Sequence, residues 1–361
     1  MSRTATALLS TENLINNVQV IRKIIGDARI IAMVKANAYG HGIRSVAKRI
    51  EPYVTLFGVA SIDEALALRA VGITLPIVLM EGVFEPGELS IAADQNFHVV
   101  FHTMQQVEWL QRAKLSYPLH VWVKINTGMG RLGFTIEQGH QVCQLFEKLD
   151  SIAKPVGIMS HFGCADIVGH PLNEQQMNVF GQFKKMYSRN IFSFCNSAAL
   201  VSFPSVHYDF VRPGLALYGI SPFENVSESF LELKPVMTLS SSLIAISWMK
   251  KGESVGYGAR YSCPEDMPIG VIAFGYGDGY PITARDGTPV LVNGIQCPLV
   301  GRISMDMMTV DLRNCPTAQV GDQVTLWGDG LPLQEVVKHV DGHVWSLLTS
   351  IQNRVKFQWT L

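Results

Sequence analysis

The sequence predicts an α/β protein, a closed (β/α)8 barrel of the TIM type followed by a mostly β C-terminal domain. Two observations indicate this class. Short apolar runs alternate with helix-like segments through the first two thirds of the chain, and beyond Ser221-Pro222 short strand-like runs follow one another between Gly and Pro residues. Alternating strands and helices are typical of a parallel sheet with helical crossovers. With 361 residues, 48% of them hydrophobic, the chain can form two cores.

Eight strand candidates precede the change in pattern. They lie at 30–34, 56–60, 77–80, 98–101, 119–125, 156–159, 191–195 and 208–211, and each but the last is followed by a helix-like segment. Ser61 is predicted to cap the helix that runs to Val71, with Glu64 completing a capping box. Eight such units favour a closed barrel. An open, doubly wound sheet stays possible because spacing alone does not show closure.

The expected domains are a barrel over residues 1–225 and a β domain over residues 236–361, joined by a polar, irregular linker at about 221–235. The strand-like runs of the second domain lie at 239–247, 269–274, 290–292, 307–312 and 324–327. Its length is within the usual range for one domain.

Composition argues against several classes of function. The net charge of −1 gives no reason to expect binding to nucleic acid or to an anionic membrane surface, and no apolar run is long enough to cross a bilayer. Six cysteines without a CxxC pair indicate free thiols in a reducing compartment. Residues 1–6 lack the apolar core of a signal peptide, so the expected location is the cytoplasm.

Lys35 stands at the end of the first barrel strand, before a turn that contains Gly40 and Gly42. An isolated lysine there is more often a side chain that reaches solvent than a reactive amine, but in a barrel the chemistry lies at the C-terminal ends of the strands. Polar residues occupy that position after several predicted strands: Lys35, Arg131, His161, Asn196 with Ser197, and Arg212. Such residues can also be helix caps, which is the simplest interpretation of Ser197. An amine at the site could form a Schiff base with an aldehyde cofactor.

Other patterns carry less information. The glycine-rich segment GYGDG (275–279) lacks the helix that a dinucleotide site requires, and no GxxxxGK[ST] or GxSxG motif occurs. The segment from His161 to His170 contains residue types that bind metals, but not at a recognised spacing, so no metal site is predicted. Tyr257, between two glycines, is by itself more consistent with a turn.

Taken together and in order, seven segments resemble the bacterial alanine racemases, which are pyridoxal 5′-phosphate (PLP) enzymes. The segments are VKANAYGHG (34–42), KINTGMGRLG (124–133), SHF (160–162), NSA (196–198), VRPG (211–214), GYG (256–258) and VGRISMD (300–306). The resemblance covers nearly the whole chain. It implies a barrel followed by a β domain, and an enzyme that interconverts L- and D-alanine and so supplies D-alanine for peptidoglycan.

The resemblance implies two bases. Lys35 would hold PLP and serve as one base, and Tyr257 of the partner subunit in a head-to-tail homodimer would be the other. Two bases on opposite faces of the Cα atom are needed because a single base tends to return the proton to the same face. The free pKa of neither group lies near neutrality, so desolvation and neighbouring positive charge must lower both.

Further roles follow from the resemblance for the cofactor and the substrate. The PLP phosphate would lie among Tyr39, Ser197, Gly214 and Leu215, beside Asn196. Arg131 would contact the cofactor and the substrate carboxylate, Lys124 can be carbamylated and would orient Arg131, and Met305 with Asp306 would lie near the carboxylate. His161 would link Tyr257 to Arg212. Trp345 stands where the family usually has a tyrosine that helps to hold phosphate, which puts selection by substrate size in doubt.

Arg212 would lie opposite the pyridine nitrogen of PLP. The pKa of a guanidinium is too high for it to give up a proton, so the ring nitrogen would stay unprotonated and PLP would be a weaker electron sink. An acidic residue opposite the ring nitrogen would favour other reactions.

Three alternative functions remain: a broader amino-acid racemase, for example one acting on serine, a non-catalytic PLP-binding barrel protein, and a barrel decarboxylase. The second lacks a β domain, and the third would require an acidic residue at position 212.

Overall fold

The computed structural model describes residues 4–223 and 232–360. The chain divides into two compact units, a barrel unit of residues 15–217 with 221–233, and a β unit that joins the N-terminal segment up to Leu14 with 218–220 and the chain from Lys234 onward. Most of the linker expected at about 221–235 lies outside the described residues.

The strands, in chain order, are β1 (Thr6–Ser10), β2 (Arg29–Met33), β3 (Leu56–Val59), β4 (Ile77–Leu79), β5 (Phe97–Phe101), β6 (His120–Lys124), β7 (Gly157–Met159), β8 (Ile191–Ser193), β9 (Phe210–Val211), β10 (Met237–Met249), β11 (Ser254–Val255), β12 (Tyr261–Ser262), β13 (Met267–Ile272), β14 (Pro289–Val292), β15 (Ile295–Val300), β16 (Met308–Asp311), β17 (Gln323–Trp327) and β18 (Lys356–Thr360). The helices are α1 (Thr11–Ile25), α2 (Lys35–Tyr39), α3 (Ile43–Ile50), α4 (Ile62–Arg69), α5 (Glu88–Asp94), α6 (Met104–Arg112), α7 (Ile136–Lys148), α8 (Pro171–Met186), α9 (Ser197–Ser202), α10 (Leu333–Val337) and α11 (Val344–Thr349).

Strands β2 to β9 form a closed parallel barrel in sequence order. The barrel closes where β2 pairs with β9, with Arg29 opposite Phe210. The barrel prediction is confirmed, and the open sheet is excluded. These strands are apolar along most of their length because both of their faces are buried, one inside the barrel and one under the helices.

Side-chain volume in the barrel interior is matched between neighbouring strands. Trp122 on β6 is fully buried, and a Cβ atom at Gly157 on β7 would lie 2.3 Å from its ring. In the same way, a Cβ atom at Gly58 on β3 would lie 2.6 Å from the sulfur of Met33 on β2. Glycine at these strand positions therefore provides the space for a large neighbour.

The β unit is built on one eight-stranded sheet in the order β13-β16-β15-β14-β17-β10-β1-β18, with an additional β13–β10 pairing. Strand β1 runs antiparallel to β10 and parallel to β18. The mostly β character of the second domain is confirmed. The N-terminal strand belongs to this sheet, although the sequence pattern had grouped residues 1–225 together, because strand partners so distant in sequence leave no local signal.

The prediction of a capping box at the start of α4 is wrong. Ser61 occupies the N-cap position, but its side chain makes no capping hydrogen bond. The Glu64 carboxylate accepts instead from the backbone N–H groups of Ala60 and Ala36. A tertiary contact with another strand end has replaced the local one.

The six cysteines are free thiols, as the sequence indicates. Within the described ranges, no helix has both the length and the apolar character needed to span a bilayer.

A pair of histidines at neighbouring positions of β5 and β6 predicts a pH dependence of stability. The rings of His98 and His120 stack 4.4 Å apart, and Trp122 Nε1 donates to His98 Nδ1 over 3.4 Å. Burial, with a smaller effect of His120, lowers the pKa of His98 from 6.5 to about 3. The unfolded chain binds a proton on this residue below about pH 6.5 and the folded chain does not, so the stability present at neutral pH is lost as the pH falls.

We expect the free energy of unfolding to decrease by up to about 2 kcal/mol between pH 7 and pH 5 because of His98 alone. Urea unfolding of the wild type and of His98→Phe at both pH values measures this contribution. The variant should show the shallower pH dependence. Equal dependence in the two proteins would contradict the assignment.

Candidate active site

The backbone after β2 makes one left-handed turn. Four consecutive residues other than glycine, Ala36, Asn37, Ala38 and Tyr39, have φ values of 52°, 53°, 54° and 52°. Each costs about 1–2 kcal/mol relative to the right-handed conformation. The sequence pointed to Gly40 and Gly42 as the turn, but the unusual conformation begins directly after Lys35. Strain of this kind persists only where surrounding contacts fix it, and it is concentrated at functional sites.

The far end of the turn is fixed by side chains. Asn37 Oδ1 accepts from the N–H of Ile43 over 2.9 Å, and His41 Nδ1 lies 2.9 Å from the carbonyl oxygen of Tyr39. His41 is fully buried, and burial lowers its pKa to about 4. A neutral ring with its proton on Nδ1 can donate to that carbonyl at all physiological pH values.

A small backbone cradle lies after β8 and β9. Ser197 Oγ accepts from the N–H of Gly214 over 2.8 Å, and a Cβ atom at Gly214 would lie 2.4 Å from the Tyr39 hydroxyl. The N-cap of α9 is Asn196, whose side chain accepts from Ala199 N–H over 2.9 Å, so Ser197 is not the cap. Burial raises the pKa of Tyr39 to about 12, which keeps its hydroxyl neutral. Leu215 is buried beside Gly214. Hydroxyl and N–H groups at such a turn suit an anion.

Arg212, directly after β9, is a buried cation held by neutral groups. Its guanidinium donates to Ser193 Oγ and to the Ser160 carbonyl oxygen, both over 2.6 Å, and to the Phe194 carbonyl oxygen over 3.3 Å. Burial lowers its pKa to about 10, so it stays protonated at neutral pH. Among residues 4–223 and 232–360, none of its hydrogen-bond partners is a carboxylate.

His161, after β7, lies with Nδ1 3.1 Å from Arg212. Burial, followed by the charge of Arg212, lowers the pKa of His161 well below its ordinary value. A neutral histidine can accept a hydrogen bond from the guanidinium, so the pair carries a single positive charge.

Lys124, the last residue of β6, is buried among other cations. Burial, then the charges of Arg212, Arg131 and Lys35, lowers its pKa from 10.5 to about 8, against an opposing effect of Glu81. Arg131 lies in the loop after β6 and is exposed. Positive groups from three strand ends therefore act on one region at the C-terminal edge of the barrel, which attracts anions such as phosphate or carboxylate.

Buried polar side chains join the loops that carry these cations. Gln176 on α8 is fully buried; its amide donates to Thr127 Oγ1 over 3.0 Å and to the His161 carbonyl oxygen over 2.8 Å, and its oxygen accepts from Gly163 N–H over 2.9 Å. Thr127 and Ser160 hydroxyls are 2.8 Å apart. Ser160 and Ser193 could have been found as polar residues at strand ends, whereas Gln176 lies in an ordinary amphipathic helix pattern that gives no such signal.

The remaining predicted site residues lie in the β unit. Tyr257 is in a turn between Gly256 and Gly258, whose φ values are 74° and 71°, and is 73% exposed. Met305 is also exposed. Asp306 forms an ion pair with Arg354, whose Nε lies 2.8 Å from the buried carboxylate of Asp278.

Trp345 lies on α11 and is about half exposed, with its ring edge-on to His343. Across the described part of the chain, no three His, Cys, Asp or Glu side chains come together as metal ligands would.

The fold and this group of charges define the class of protein: a (β/α)8-barrel protein with an added β unit, whose cationic side chains at the C-terminal ends of the strands suit an anionic ligand. The family model "Alanine racemase, N-terminal domain" matches residues 9–222, and "Alanine racemase, C-terminal domain" matches residues 236–359. The chain belongs to the alanine racemase family.

Individual relatives agree. The chain is 45% identical over 359 residues to an alanine racemase of Coxiella burnetii, with 98% of both chains covered, and 43% identical over 358 residues to one of Vibrio vulnificus, with 99% of both covered. Among solved structures, it matches biosynthetic alanine racemase from Pseudomonas aeruginosa with a TM-score of 0.96, 37% identity and 100% of both chains covered. Alanine racemase from Acinetobacter baumannii gives a TM-score of 0.93 at 37% identity, covering 99% of this chain and 100% of that one.

Gln176→Met tests whether this buried amide stabilises the pocket loops. The change roughly preserves volume but leaves several buried polar partners unpaired, so we expect the free energy of unfolding to fall by about 2–4 kcal/mol. Urea unfolding measures it. Gln175→Met, at the exposed neighbouring position of α8, is the matched control and should change stability by less than about 0.5 kcal/mol. Equal effects of the two changes would contradict the role assigned to Gln176.

Proposed function

We propose that this protein interconverts L- and D-alanine with PLP as cofactor, using two bases and a homodimer with shared active sites. The observation that carries the proposal is the cationic region in a chain of the alanine racemase family: the charges of Lys35, Arg131 and Arg212 act on Lys124, and within the described residues the hydrogen-bond acceptors of Arg212 are neutral groups. This region suits the two anionic groups that the reaction requires, a phosphate and a carboxylate.

The residues present fit PLP. The Gly214 backbone, with no Cβ atom to fill the space by Tyr39, and the hydroxyls of Tyr39 and Ser197 would hold the phosphate, next to Leu215 and Asn196. PLP, when bound, supplies an electron-withdrawing ring that makes the Cα proton of an amino acid acidic. Arg212 would face the ring nitrogen and, as a permanent cation, leave it unprotonated. His161 accepts from Arg212 and would connect it to Tyr257.

Lys35 and Tyr257 would move the proton. Lys35 would hold PLP covalently until substrate releases its amine, and the amine would then act on one face of the Cα atom. Tyr257 of the partner subunit would act on the opposite face. High exposure of the Tyr257 ring in the single chain supports its contribution to a neighbouring subunit, since an exposed phenol between two glycines has few contacts of its own.

We assign contacts with the substrate carboxylate to three residues. Arg131 would bind the substrate carboxylate, and Met305 and Asp306 of the β unit would lie beside it, with Asp306 held by Arg354. Trp345 would narrow the entrance where relatives usually have a tyrosine. The product D-alanine would serve peptidoglycan synthesis.

A broader amino-acid racemase is the alternative that Trp345 keeps open, and turnover on alanine, serine and lysine separates it from the main proposal. A non-catalytic PLP-binding barrel would not need a β unit, and strands β10 to β18 argue against it.

Mixing two inactive variants tests the shared site. Lys35→Ala removes the amine and Tyr257→Phe removes the phenol, so each homodimer should lose nearly all racemase activity. Subunits exchanged between them form heterodimers with one intact site and one doubly defective site, which should restore roughly a quarter of the wild-type activity. Circular dichroism of optically pure alanine over time measures racemisation.

Two controls accompany this experiment. Tyr257→Phe should keep the visible absorbance of covalently bound PLP, and Lys35→Ala should lose it. A chain that carries both changes, paired with a wild-type chain, should give an inactive heterodimer, because each shared site then lacks one of the two groups; a heterodimer with about half of the wild-type activity would mean that each site takes both groups from one chain. Absence of restoration in verified mixed dimers would contradict the shared site.

We also expect Lys124 to be carbamylated. With a pKa near 8, a substantial fraction of this amine is uncharged at mildly alkaline pH and can add CO2, releasing a proton and placing a negative charge among the cations. Protein incubated with ¹³C-bicarbonate should show a carbamate resonance that is missing in Lys124→Met. Lys148→Met, at the exposed end of α7, is the control and should keep the resonance.

A further inference from the structure

We propose that Glu64 is a positioning residue that aims Lys35 into the pocket by anchoring the left-handed turn that follows it. This inference rests on the proposed function, because it concerns the lysine that would hold PLP. It adds a residue on α4 to the site, at a position outside the motifs that identify the family from the sequence.

The Glu64 carboxylate connects the C-terminal ends of two barrel strands. Its Oε1 atom accepts from the N–H of Ala36 over 2.7 Å, and its Oε2 atom accepts from the N–H of Ala60 over 2.8 Å. Ala36 follows Lys35, and Ala60 follows β3 directly. Hydrogen bonds to an ionised acceptor are shorter and stronger than those between neutral groups. One side chain therefore fixes the peptide after Lys35 relative to the neighbouring strand.

That peptide controls the direction of the lysine side chain. The N–H of Ala36 lies in the same peptide plane as the Cα atom and carbonyl of Lys35, so holding it fixes the ψ angle of Lys35. The plane is also the entry to the strained turn, in which Ala36 has a φ of 52°. Without an acceptor on that N–H, the backbone can relax toward the conformations that alanine prefers, and the lysine amine moves with it.

Different side chains hold the two ends of the left-handed turn. Asn37 and His41 hold its far end within the same segment. Glu64 holds the near end and links the turn to the end of β3 and the start of α4. A change at Glu64 should therefore displace Lys35 more than it displaces the cradle at Gly214.

Glu64→Gln is the variant that isolates this contact. Glutamine has nearly the same size, and its amide oxygen still accepts one N–H, but its NH2 group cannot accept the second. Asp63→Asn removes the same charge from the exposed neighbouring position of α4 and is the matched control. Both proteins are prepared without PLP, checked for folding by circular dichroism, and mixed with PLP.

The first measurement is covalent attachment. Borohydride reduction at timed intervals followed by peptide mass spectrometry gives the rate at which Lys35 becomes linked to PLP. We expect Glu64→Gln to lower this rate about ten-fold and Asp63→Asn to leave it unchanged, as the loss of one charge-assisted hydrogen bond would predict.

The second measurement is the α-deuterium isotope effect on racemisation of L- and D-alanine. If Lys35 is misplaced, its own proton transfer becomes slower than that of Tyr257. The isotope effect should then rise in the direction in which Lys35 removes the deuterium and fall in the opposite direction. A general structural defect would lower activity without this asymmetry.

A second-site change keeps the test informative if Glu64→Gln folds poorly. Ala36→Gly makes a positive φ free of steric cost, so adding it to Glu64→Gln should recover part of the attachment rate and of the symmetry of the isotope effects. Glu64→Asp keeps the ionised acceptor on a shorter arm and should lie between the wild type and Glu64→Gln.

Two results would decide against the inference while leaving the proposed function intact. They are an unchanged attachment rate in folded Glu64→Gln, or a slower rate with unchanged isotope effects and no recovery by Ala36→Gly. In both cases the wild type still links PLP to Lys35 and racemises alanine. Failure of the wild type to link PLP to Lys35 would instead overturn the proposed function.

Discussion

Positive charge concentrated at the C-terminal edge of the barrel is the constraint on which the site depends. Burial of a charged group is unfavourable unless it is paired or hydrogen-bonded. The protein meets this requirement in two ways. Arg212 keeps its charge because hydroxyl and carbonyl oxygens surround its guanidinium, and Lys124 has a lowered pKa. Arg212 therefore keeps the region positive and suited to an anion, whereas Lys124 can release its proton more readily than an exposed lysine.

The barrel makes this arrangement possible because its strands end at one edge. Lys35, Lys124, His161 and Arg212 each lie at the C-terminal end of a different strand, and the closed sheet brings these ends together although up to 177 positions separate the residues in sequence. The polar hub at Gln176 and the carboxylate of Glu64 then fix the loops on which the charged groups stand. Rigid placement matters because proton transfer slows sharply when the base lies even about 1 Å away from its best position relative to the proton.

Much of the fold was predictable from local patterns. Each barrel strand is buried on both faces and therefore appears as a short apolar run, and the helices between them have amphipathic periodicity. The polar residues after those runs were correctly identified as lying at one edge. One local expectation did not hold, because Ser61 does not cap α4 with its side chain; the alternative role of Ser197 as a helix cap is also excluded, because Asn196 caps α9. At both helix starts a polar side chain can form either a local capping hydrogen bond or a hydrogen bond to a distant segment. The sequence alone does not show which of the two bonds forms.

By itself, the sequence determined the order of the strands and helices, the position of a lysine at the end of the first barrel strand, and the change to β structure after Ser221. Only the tertiary structure decided that the strands close into a barrel, that β1 joins the sheet of the β unit, and that the turn after Lys35 is left-handed. Hydrophobic periodicity reports which residues are buried, and it acts over a few neighbours. Strand partnership, a positive φ at alanine and the pKa of Lys124 depend on groups that are distant in sequence, so they exist only once the chain has folded.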